Sequence, residues 1–513
     1  MKTSVRMPTV STAKPQYPWI PITLILFLST GLGFYKLGAE SFWIDELYSI
    51  YDATSLNLTL SDMLGRFTQI RPIYYILLRI WMLFGEGEAW LRSLSVLFGI
   101  GSVFLTYRLG RRIAGEKVGL LASLMLSLSP LFIHFSQMVR MYALGLFLAL
   151  LGSLALAYAL ETPKQKYLGI WAITRALTFL AAPLNATLLF PDIILFGLKF
   201  RKQPKTLVVF GKWLILIVLA CLPSTFALVS KTLPFLKKSL DITNKVTALS
   251  QVASPNEYGE FLRKFKKLTA FPFPSTSKLM SLFFQAYNLI LLALAGLAFY
   301  KNRFSNRLLW VTAWAFVPWL IHAAVSKSMF FDRYIVYTMP YLLILIAAGL
   351  VRMWKMHRMT AALVAAVYAI AVTAGIGRYY MVQDRQDWRG LSEVISQHEQ
   401  PGDIILHSLE ATNLDKLSNA FGYYYKGDAL VTNLAGFCET PDIKKTDATL
   451  ALENIPPIVT HLWLVCGSGF DEKVFQETFG EHLNLEAHWK FVNHAFYRQE
   501  DYMELFKVTP KLK

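Results

Sequence analysis

Long apolar runs, each ended by a short polar or basic segment, fill the first three-quarters of the chain. Stretches able to cross the roughly 30 Å of a bilayer core lie near residues 19–37, 89–107, 118–136, 140–160, 167–182, 183–199, 207–229, 283–300, 308–326, 333–351 and 359–378. They predict a polytopic α-helical membrane protein of about 11 transmembrane helices. The run from Pro72 to Phe84 is apolar but short and carries Arg79. Pattern alone leaves it open between a further span and a helix lying on the membrane surface.

Charge between the runs decides that choice, because short cytoplasmic loops collect Lys and Arg. If 72–84 does not cross and the N-terminus is inside, the cytoplasmic loops are Arg108 to Lys117, Lys164/Lys166, Lys199 to Lys205, Lys301 to Arg307, and Arg352 to Arg358. Those are the basic clusters. If 72–84 crossed, all of them would lie outside. Residues 72–84 therefore read as a juxtamembrane helix within a first outer loop, 38–88. The same parity puts Ser136 to Arg140, a long loop at 230–282, Phe331-Asp332-Arg333 and everything after residue 378 on the outer side. Lys237/Lys238, Arg263, Lys264 and Lys266/Lys267 make the long outer loop basic. Either long loops escape the charge rule, or this one meets an anionic ligand or headgroup.

After Arg378 the pattern changes. Short β-like runs at 403–406, 461–465, 489–492 and 503–506 alternate with helical candidates near 387–398, 413–425 and 471–480, as in a small α/β domain. Gly467-Ser468-Gly469 is too sparse to be a phosphate-binding loop. The expected division is a transmembrane domain, 1–378, and an extracytoplasmic α/β domain, 379–513. Lys2, Arg6 and Lys14 precede a first apolar stretch that reads as a retained helix.

Composition supports this division. The 513 residues are 54% hydrophobic and 17% charged, with mean hydropathy +0.40, which excludes an ordinary water-soluble protein. The net charge of +17 divides unevenly: residues 1–378 hold 39 Lys and Arg against 14 Asp and Glu, and residues 379–513 hold 12 against 20. The basic excess sits in short loops, where an anionic membrane surface holds it. Membrane lipids are therefore the expected partner, and nucleic acid is not. Cys221 lies in an apolar run. Cys438 and Cys466 in the tail are read as buried free thiols, against the alternative of a disulfide in an extracytoplasmic domain.

Candidate chemistry gathers on the outer side. Asp45 and Glu46 are adjacent in Ser41-Phe42-Trp43-Ile44-Asp45-Glu46-Leu47-Tyr48, and a carboxylate within hydrogen-bond reach of a hydroxyl can act as its base. The alternative is that both acids only cap a helix beginning near residue 46. Arg71, Arg79, Arg92, Arg140 and Arg333 stand at apolar edges on the same side. A guanidinium can hold a phosphate through paired hydrogen bonds; snorkelling or pairing with Asp45, Glu46 or Asp332 is the competing explanation. Tyr74, Tyr75, Tyr142 and Tyr334 could line a sugar pocket or serve as interfacial anchors. No His/Cys/Asp/Glu spacing suggests a protein-built metal site; His134 and His322 stand singly near span ends. Arg175 and Asp192 sit deeper in apolar runs. They are the sequence's argument for a lipid-linked glycan transporter or a non-catalytic scaffold, unless they form a structural pair.

A family resemblance rests on a series of motifs. Trp43-x-Asp45-Glu46, Pro72-Ile73-Tyr74-Tyr75 with Leu77-Leu78-Arg79, Glu88-Ala89-Trp90-Leu91-Arg92, Ser129-Pro130 and Ser136-Gln137-x-x-Arg140-Met141-Tyr142-Ala143 occur in this order. Phe331-Asp332-Arg333-Tyr334 and Asp387-Trp388-Arg389 follow. Together they resemble the GT-C superfamily of polytopic glycosyltransferases, in particular bacterial relatives of dolichyl-phosphate-mannose protein mannosyltransferases and lipid A aminoarabinose transferases. The resemblance implies an inverting glycosyltransferase in the bacterial plasma membrane, with its site facing outward. It would take a polyprenyl-phosphate sugar as donor and a hydroxyl on a lipid, glycan or protein as acceptor.

It further implies Asp45 as base and Glu46 as a supporting carboxylate, with Arg71, Tyr74, Tyr75, Arg92, Gln137, Arg140, Tyr142, Arg333 and Tyr334 toward the donor. A divalent cation between carboxylates and phosphate is compatible with the chemistry but not required by the sequence. Two departures stand out: Ile70-Arg71-Pro72 replaces a His-Pro-Pro common among relatives, and Ser136-Gln137-Met138 replaces Ser-Gln-Glu.

Overall fold

The computed structural model describes residues 19–247, 278–301, 305–325, 332–382, 385–407, 420–433, 461–467, 470–493 and 501–511. All 11 apolar stretches fall on helices. The first is α1 (Ile20–Phe34); the loop after it folds into α2 (Ile44–Thr54), α3 (Leu60–Arg66) and α4 (Pro72–Met82). There follow α5 (Glu88–Ala114), α6 (Glu116–Ser127), α7 (Pro130–Ser136), α8 (Tyr142–Glu161) and α9 (Gln165–Ala181). A 3₁₀ turn, Pro183–Leu188, leads into α10 (Leu189–Phe200). Next come α11 (Pro204–Thr247), α12 (Lys278–Leu297), α13 (Ser305–Val325), a short α14 (Asp332–Ile335), α15 (Met339–Met356) and α16 (Arg358–Met381). Among the described residues, six helices have the length and apolarity of a span, or seven if the bent pair α6–α7 is counted as one. That pair bends by 65° where Ser129 precedes Pro130, a position disfavoured in helix.

One expectation shifts. The segment 230–282 does not begin as loop: α11 runs for 44 residues, to Thr247, because Leu233, Leu236 and Leu240 keep helical spacing past the apolar run. Of the long loop's basic residues, Arg263, Lys264, Lys266 and Lys267 lie outside the described residues, as do the side chains of Lys237 and Lys238. The run at 72–84 is an 11-residue helix, α4, too short to span. It is tied to α5 by Trp81 and Trp90, whose rings stack at 4.8 Å. Each of their indole N–H groups donates to the other residue's carbonyl, at 2.9 and 3.0 Å.

Small residues let the bundle close. A Cβ on Gly119 of α6 would stand 2.6 Å from the Tyr107 carbonyl oxygen of α5, so this crossing requires glycine. Deeper in the bundle, Arg175 of α9 and Asp192 of α10 form a fully buried pair at 2.7 Å. Trp171 and Trp314 Nε1 also donate to Asp192, at 2.7 and 2.8 Å, while Arg175 donates to the Ala149 carbonyl and to Ser153. This network joins α8, α9, α10 and α13, so the pair that suggested a transporter is a structural couple.

The tail packs α17 (Trp388–His398), α18 (Ala420–Tyr424) and α19 (Glu472–Phe479) on a five-stranded sheet. Its strands are β1 (Ile404–His407), β2 (Leu430–Asn433), β3 (Leu462–Cys466), β4 (Leu483–Asn493) and β5 (Asp501–Pro510), in the order β2-β1-β3-β5-β4. β1 is parallel to β2 and β3; β5 is antiparallel to β3 and β4. On β3, Leu462, Leu464 and Cys466 face a core with Phe470, Phe475 and Phe506, while Trp463 and Val465 join the core containing Leu391 and Phe421. Burial on both faces explains its continuous apolar run. Cys466 is disulfide-bonded, which corrects the free-thiol reading for that residue; Cys221 is free and buried, and Cys438 lies outside the described residues.

Removing one partner of a buried ion pair costs about 3–5 kcal/mol, whereas replacing both with apolar residues is often nearly neutral. Asp192→Ala is therefore expected to lower the thermal unfolding temperature of the detergent-solubilised protein sharply, and Arg175→Met with Asp192→Leu to recover most of the loss. Equal losses in both variants would contradict the structural role of this pair.

Candidate active site

The site is built on the segment between α1 and α2. Arg92, on the first turns of α5, is 1% exposed and has every donor engaged. Its Nη1 donates to the Leu37 and Glu40 carbonyls at 3.0 and 2.8 Å, and its Nη2 to the Ser41 carbonyl at 2.9 Å. Its Nε and Nη2 also grip the two oxygens of Glu46 at 3.0 and 2.9 Å. Arg389, at the start of α17, takes the Gly38 and Ala39 carbonyls. Two arginines thus hold every carbonyl from residue 37 to 41. The tail closes over the same segment, where the Tyr424 hydroxyl accepts from the Phe42 N–H at 2.6 Å and donates to Glu88 at 3.0 Å.

Glu46 is fully buried. Besides Arg92, it accepts from the Val139 N–H at 2.9 Å and the Trp43 N–H at 3.4 Å, and Arg385 stands 3.3 Å away. The Trp43 contact is a capping interaction at the start of α2. Burial alone would raise the Glu46 pKa; the charges of Arg385 and Arg92 and their hydrogen bonds outweigh it and hold the group at about 2, against an ordinary 4.5. Glu46 therefore joins α2, α5, the turn before α8 and the tail, and its oxygens are fully occupied.

Asp45 points the other way. Consecutive residues on a helix are about 100° apart, so with Glu46 turned inward the Asp45 side chain emerges 23% exposed. Its Oδ2 lies 3.2 Å from Nη1 of Arg333, which is itself 36% exposed. Arg140 supports α2 beneath it: Nη1 donates to the Asp45 carbonyl at 2.7 Å and to Ser49 Oγ at 3.0 Å. The guanidinium of Arg140 lies 5.9 Å from the Tyr142 ring, and that of Arg333 lies 5.1 Å from the Tyr334 ring. Sequence analysis placed Asp45, Arg140, Tyr142, Arg333 and Tyr334 on one side, and the structure brings them into one cluster.

The other candidates make different contacts, and of these Tyr74 and Tyr75 lie within electrostatic reach of Arg140. Gln137 donates to the Leu32, Gly33 and Tyr35 carbonyls and accepts from Tyr379, so it anchors the end of α1. Tyr74 and Tyr75 are buried, and Arg66 stacks on Tyr75 at 4.7 Å. Arg71 caps α4 with left-handed backbone, φ 60° and ψ 43°, a costly conformation for a residue with a Cβ. Its Nε is buried without a hydrogen-bond partner among the described residues. Ser49, Arg385 and Tyr424 were not singled out from sequence, and Arg389 entered only as part of the Asp387-Trp388-Arg389 motif. Only Ser49, one helical turn after Asp45, carried a spacing signal. Among the described residues, no three His, Cys, Asp or Glu side chains converge as metal ligands.

Comparison with known proteins agrees with this architecture. Residues 72–227 match the family described as dolichyl-phosphate-mannose-protein mannosyltransferase. An uncharacterized protein of Aquifex aeolicus (strain VF5) is 28% identical over 189 residues, which are 37% of this chain and 38% of that protein; the match thus spans less than two-fifths of the relative's length. ArnT from Cupriavidus metallidurans, solved bound to undecaprenyl phosphate, superposes with a TM-score of 0.51 at 13% identity, over 95% of this chain and 98% of ArnT. The apo oligosaccharyltransferase of Archaeoglobus fulgidus gives a TM-score of 0.51 at 12% identity, over 88% of this chain and 70% of its own. The protein has the GT-C fold of membrane glycosyltransferases. Within the GT-C fold described here, the acidic pair of the first loop divides into one buried and one accessible carboxylate.

Because the folded pKa of Glu46 lies below its unfolded value, its contribution is fully present above pH 4.5 and is lost as pH falls toward 2. That contribution is about 3 kcal/mol. Acid unfolding of the wild type should steepen across this window, and Glu46→Gln should be less stable at pH 7 with a flatter slope between pH 4.5 and 2. A variant with unchanged stability at both ends would contradict the assignment.

Proposed function

We propose that the protein is a glycosyltransferase that moves a sugar from a polyprenyl phosphate to a hydroxyl acceptor, with inversion, at the outer face of a bacterial plasma membrane. The observation that carries this reading is the accessible Asp45 carboxylate beside Arg140 and Arg333 at one end of a GT-C bundle. In this reading, Asp45 takes the acceptor proton as the hydroxyl attacks the sugar carbon and the bond to the lipid phosphate breaks. Arg333, now paired with Asp45, turns to the donor phosphate when it arrives. The departing phosphate then gains a charge partner and Asp45 is released for the acceptor. Tyr142 and Tyr334 flank that exchange. Glu46 and Arg92 position the loop without touching substrate, because their polar atoms are already engaged.

The printed relatives support the donor class: ArnT was solved with undecaprenyl phosphate, and the family matching residues 72–227 is named for a dolichyl-phosphate sugar donor. The basic loop clusters at the far end of the bundle support the outward orientation of Asp45. The disulfide-bonded Cys466 is at home in an oxidising compartment outside the cytoplasm. The transporter alternative loses its main argument once Arg175 and Asp192 are accounted for by packing.

Purified wild type should transfer radiolabel from a synthetic polyprenyl-phosphate sugar into membrane extract. Asp45→Asn, keeping its fold, should lose roughly 100- to 10,000-fold in kcat; normal turnover in that variant would remove Asp45 from the mechanism. Arg333→Gln should raise KM for the donor more than it lowers kcat, read from initial rates at varied donor. A purely structural Arg333 would leave that ratio unmoved.

A further inference from the structure

A cavity of about 650 Å³ opens at the end of the bundle remote from Asp45. Arg108, Arg111, Arg112 and Arg307 line it against a single lining carboxylate, Glu161. Glu161 is shared by Arg112 and Arg307, and Arg111 pairs outside the cavity lining with Glu116 at 2.7 Å. Arg108 has no anionic partner among the described residues; its guanidinium lies 5.7 Å from the Phe104 ring. The Nε of Arg112 is buried without a hydrogen-bond partner among the described residues, and the guanidinium carbon lies 3.6 Å from the Tyr158 ring centroid. With Glu161 shared by Arg112 and Arg307 and Glu116 taken by Arg111, Arg108 is the guanidinium in this cluster left without an anion among the described residues.

The walls say what kind of anion would fit. Trp19 and Phe104, 59% and 37% exposed, stand beside the arginines on the flank of the bundle, where acyl chains would run. Phe104 lies one turn along α5 from Arg108, on the side toward the membrane interior. A soluble anion would gain nothing from these rings, whereas a phospholipid would bury its glycerol and upper chains against them. The cavity also lies at the level of headgroups: from Arg92 to Arg112 along α5 is 20 residues, about 30 Å at 1.5 Å per residue, one hydrocarbon thickness from the opposite arginine cluster. We infer that this cavity is a binding site for the phosphate of an anionic phospholipid of the cytoplasmic leaflet.

Generic attraction of basic loops to anionic membranes is the competing explanation, and the test must separate the two. Full-length protein in nanodiscs containing equal phosphatidylglycerol and phosphatidylcholine would be released into neutral detergent and its retained lipid counted by native mass spectrometry. Wild type should keep phosphatidylglycerol preferentially. The double variant Arg108→Gln, Arg307→Gln should lose roughly tenfold in that retention. Lys202→Gln with Lys205→Gln, on an exposed basic loop away from the cavity, should not. Equal loss in both pairs, or no preference over phosphatidylcholine, would overturn the inference. So would displacement of the lipid by millimolar inorganic phosphate, which would show a soluble-anion site. The thermal unfolding of each variant shows whether a loss of lipid merely follows a loss of fold.

Discussion

The Arg92–Glu46 pair is the interaction on which the end of the molecule that carries Asp45 depends. It is fully buried, and burying two charges is favourable only when their remaining donors and acceptors are also met. Here they are: Arg92 spends its other N–H groups on the carbonyls of residues 37, 40 and 41, and Glu46 accepts the Val139 N–H and meets Arg385. Those partners are spread over separate pieces of chain. A loop, the start of α5, the turn before α8 and the hinge into the tail are thereby fixed to one another through two side chains.

The position of Asp45 follows from this. A carboxylate on a helix of 11 residues in a surface loop would ordinarily sample many orientations. With its neighbour locked, the rotation of α2 is set, and Arg140 holds the same turn from beneath through the Asp45 carbonyl and Ser49. Such an arrangement places a carboxylate on a rigid support and keeps it accessible. The tail adds to it: Arg389 and Tyr424 reach the segment 38–42 from α17 and α18, so the α/β domain is part of the support for the site.

Much of the fold was legible because its signals are local. Apolar runs locate the helices, loop charge separates α4 from the spans, and short β-like runs mark four strands of the tail. Strand β2 was missed because Leu430-Val431-Thr432-Asn433 is four residues long, at the sheet edge, with Leu430 63% exposed. The acidic pair was legible as a place, but the division of its roles was not. Both acids suit the first turn of a helix, and only Arg92, 46 residues away in sequence, distinguishes them. Arg92 looked like a phosphate ligand for the same reason: sequence shows five donors and not the carbonyls that consume them. Arg175 and Asp192 illustrate the converse, since two charges in apolar runs suggest function until Trp171 and Trp314 are seen to complete the pair.

Helix α5 links the two ends of the molecule. Its first turns carry Arg92 and hold the loop bearing Asp45, and its last turns carry Arg108, Arg111 and Arg112 around the remote cavity. In the proposed reaction a lipid-linked donor would present its phosphate at a depth fixed by the bilayer, so the height of Asp45 relative to that plane would govern whether the acceptor hydroxyl it holds can meet the sugar carbon. Trp81 and Trp90 at the Asp45 end and Trp19 at the opposite end are the kind of anchors that set this height. A headgroup gripped by the inner arginines would act on the same coordinate. Reactive geometry on one face would then be stabilised in part by lipid contacts on the other, transmitted along a single helix of 27 residues.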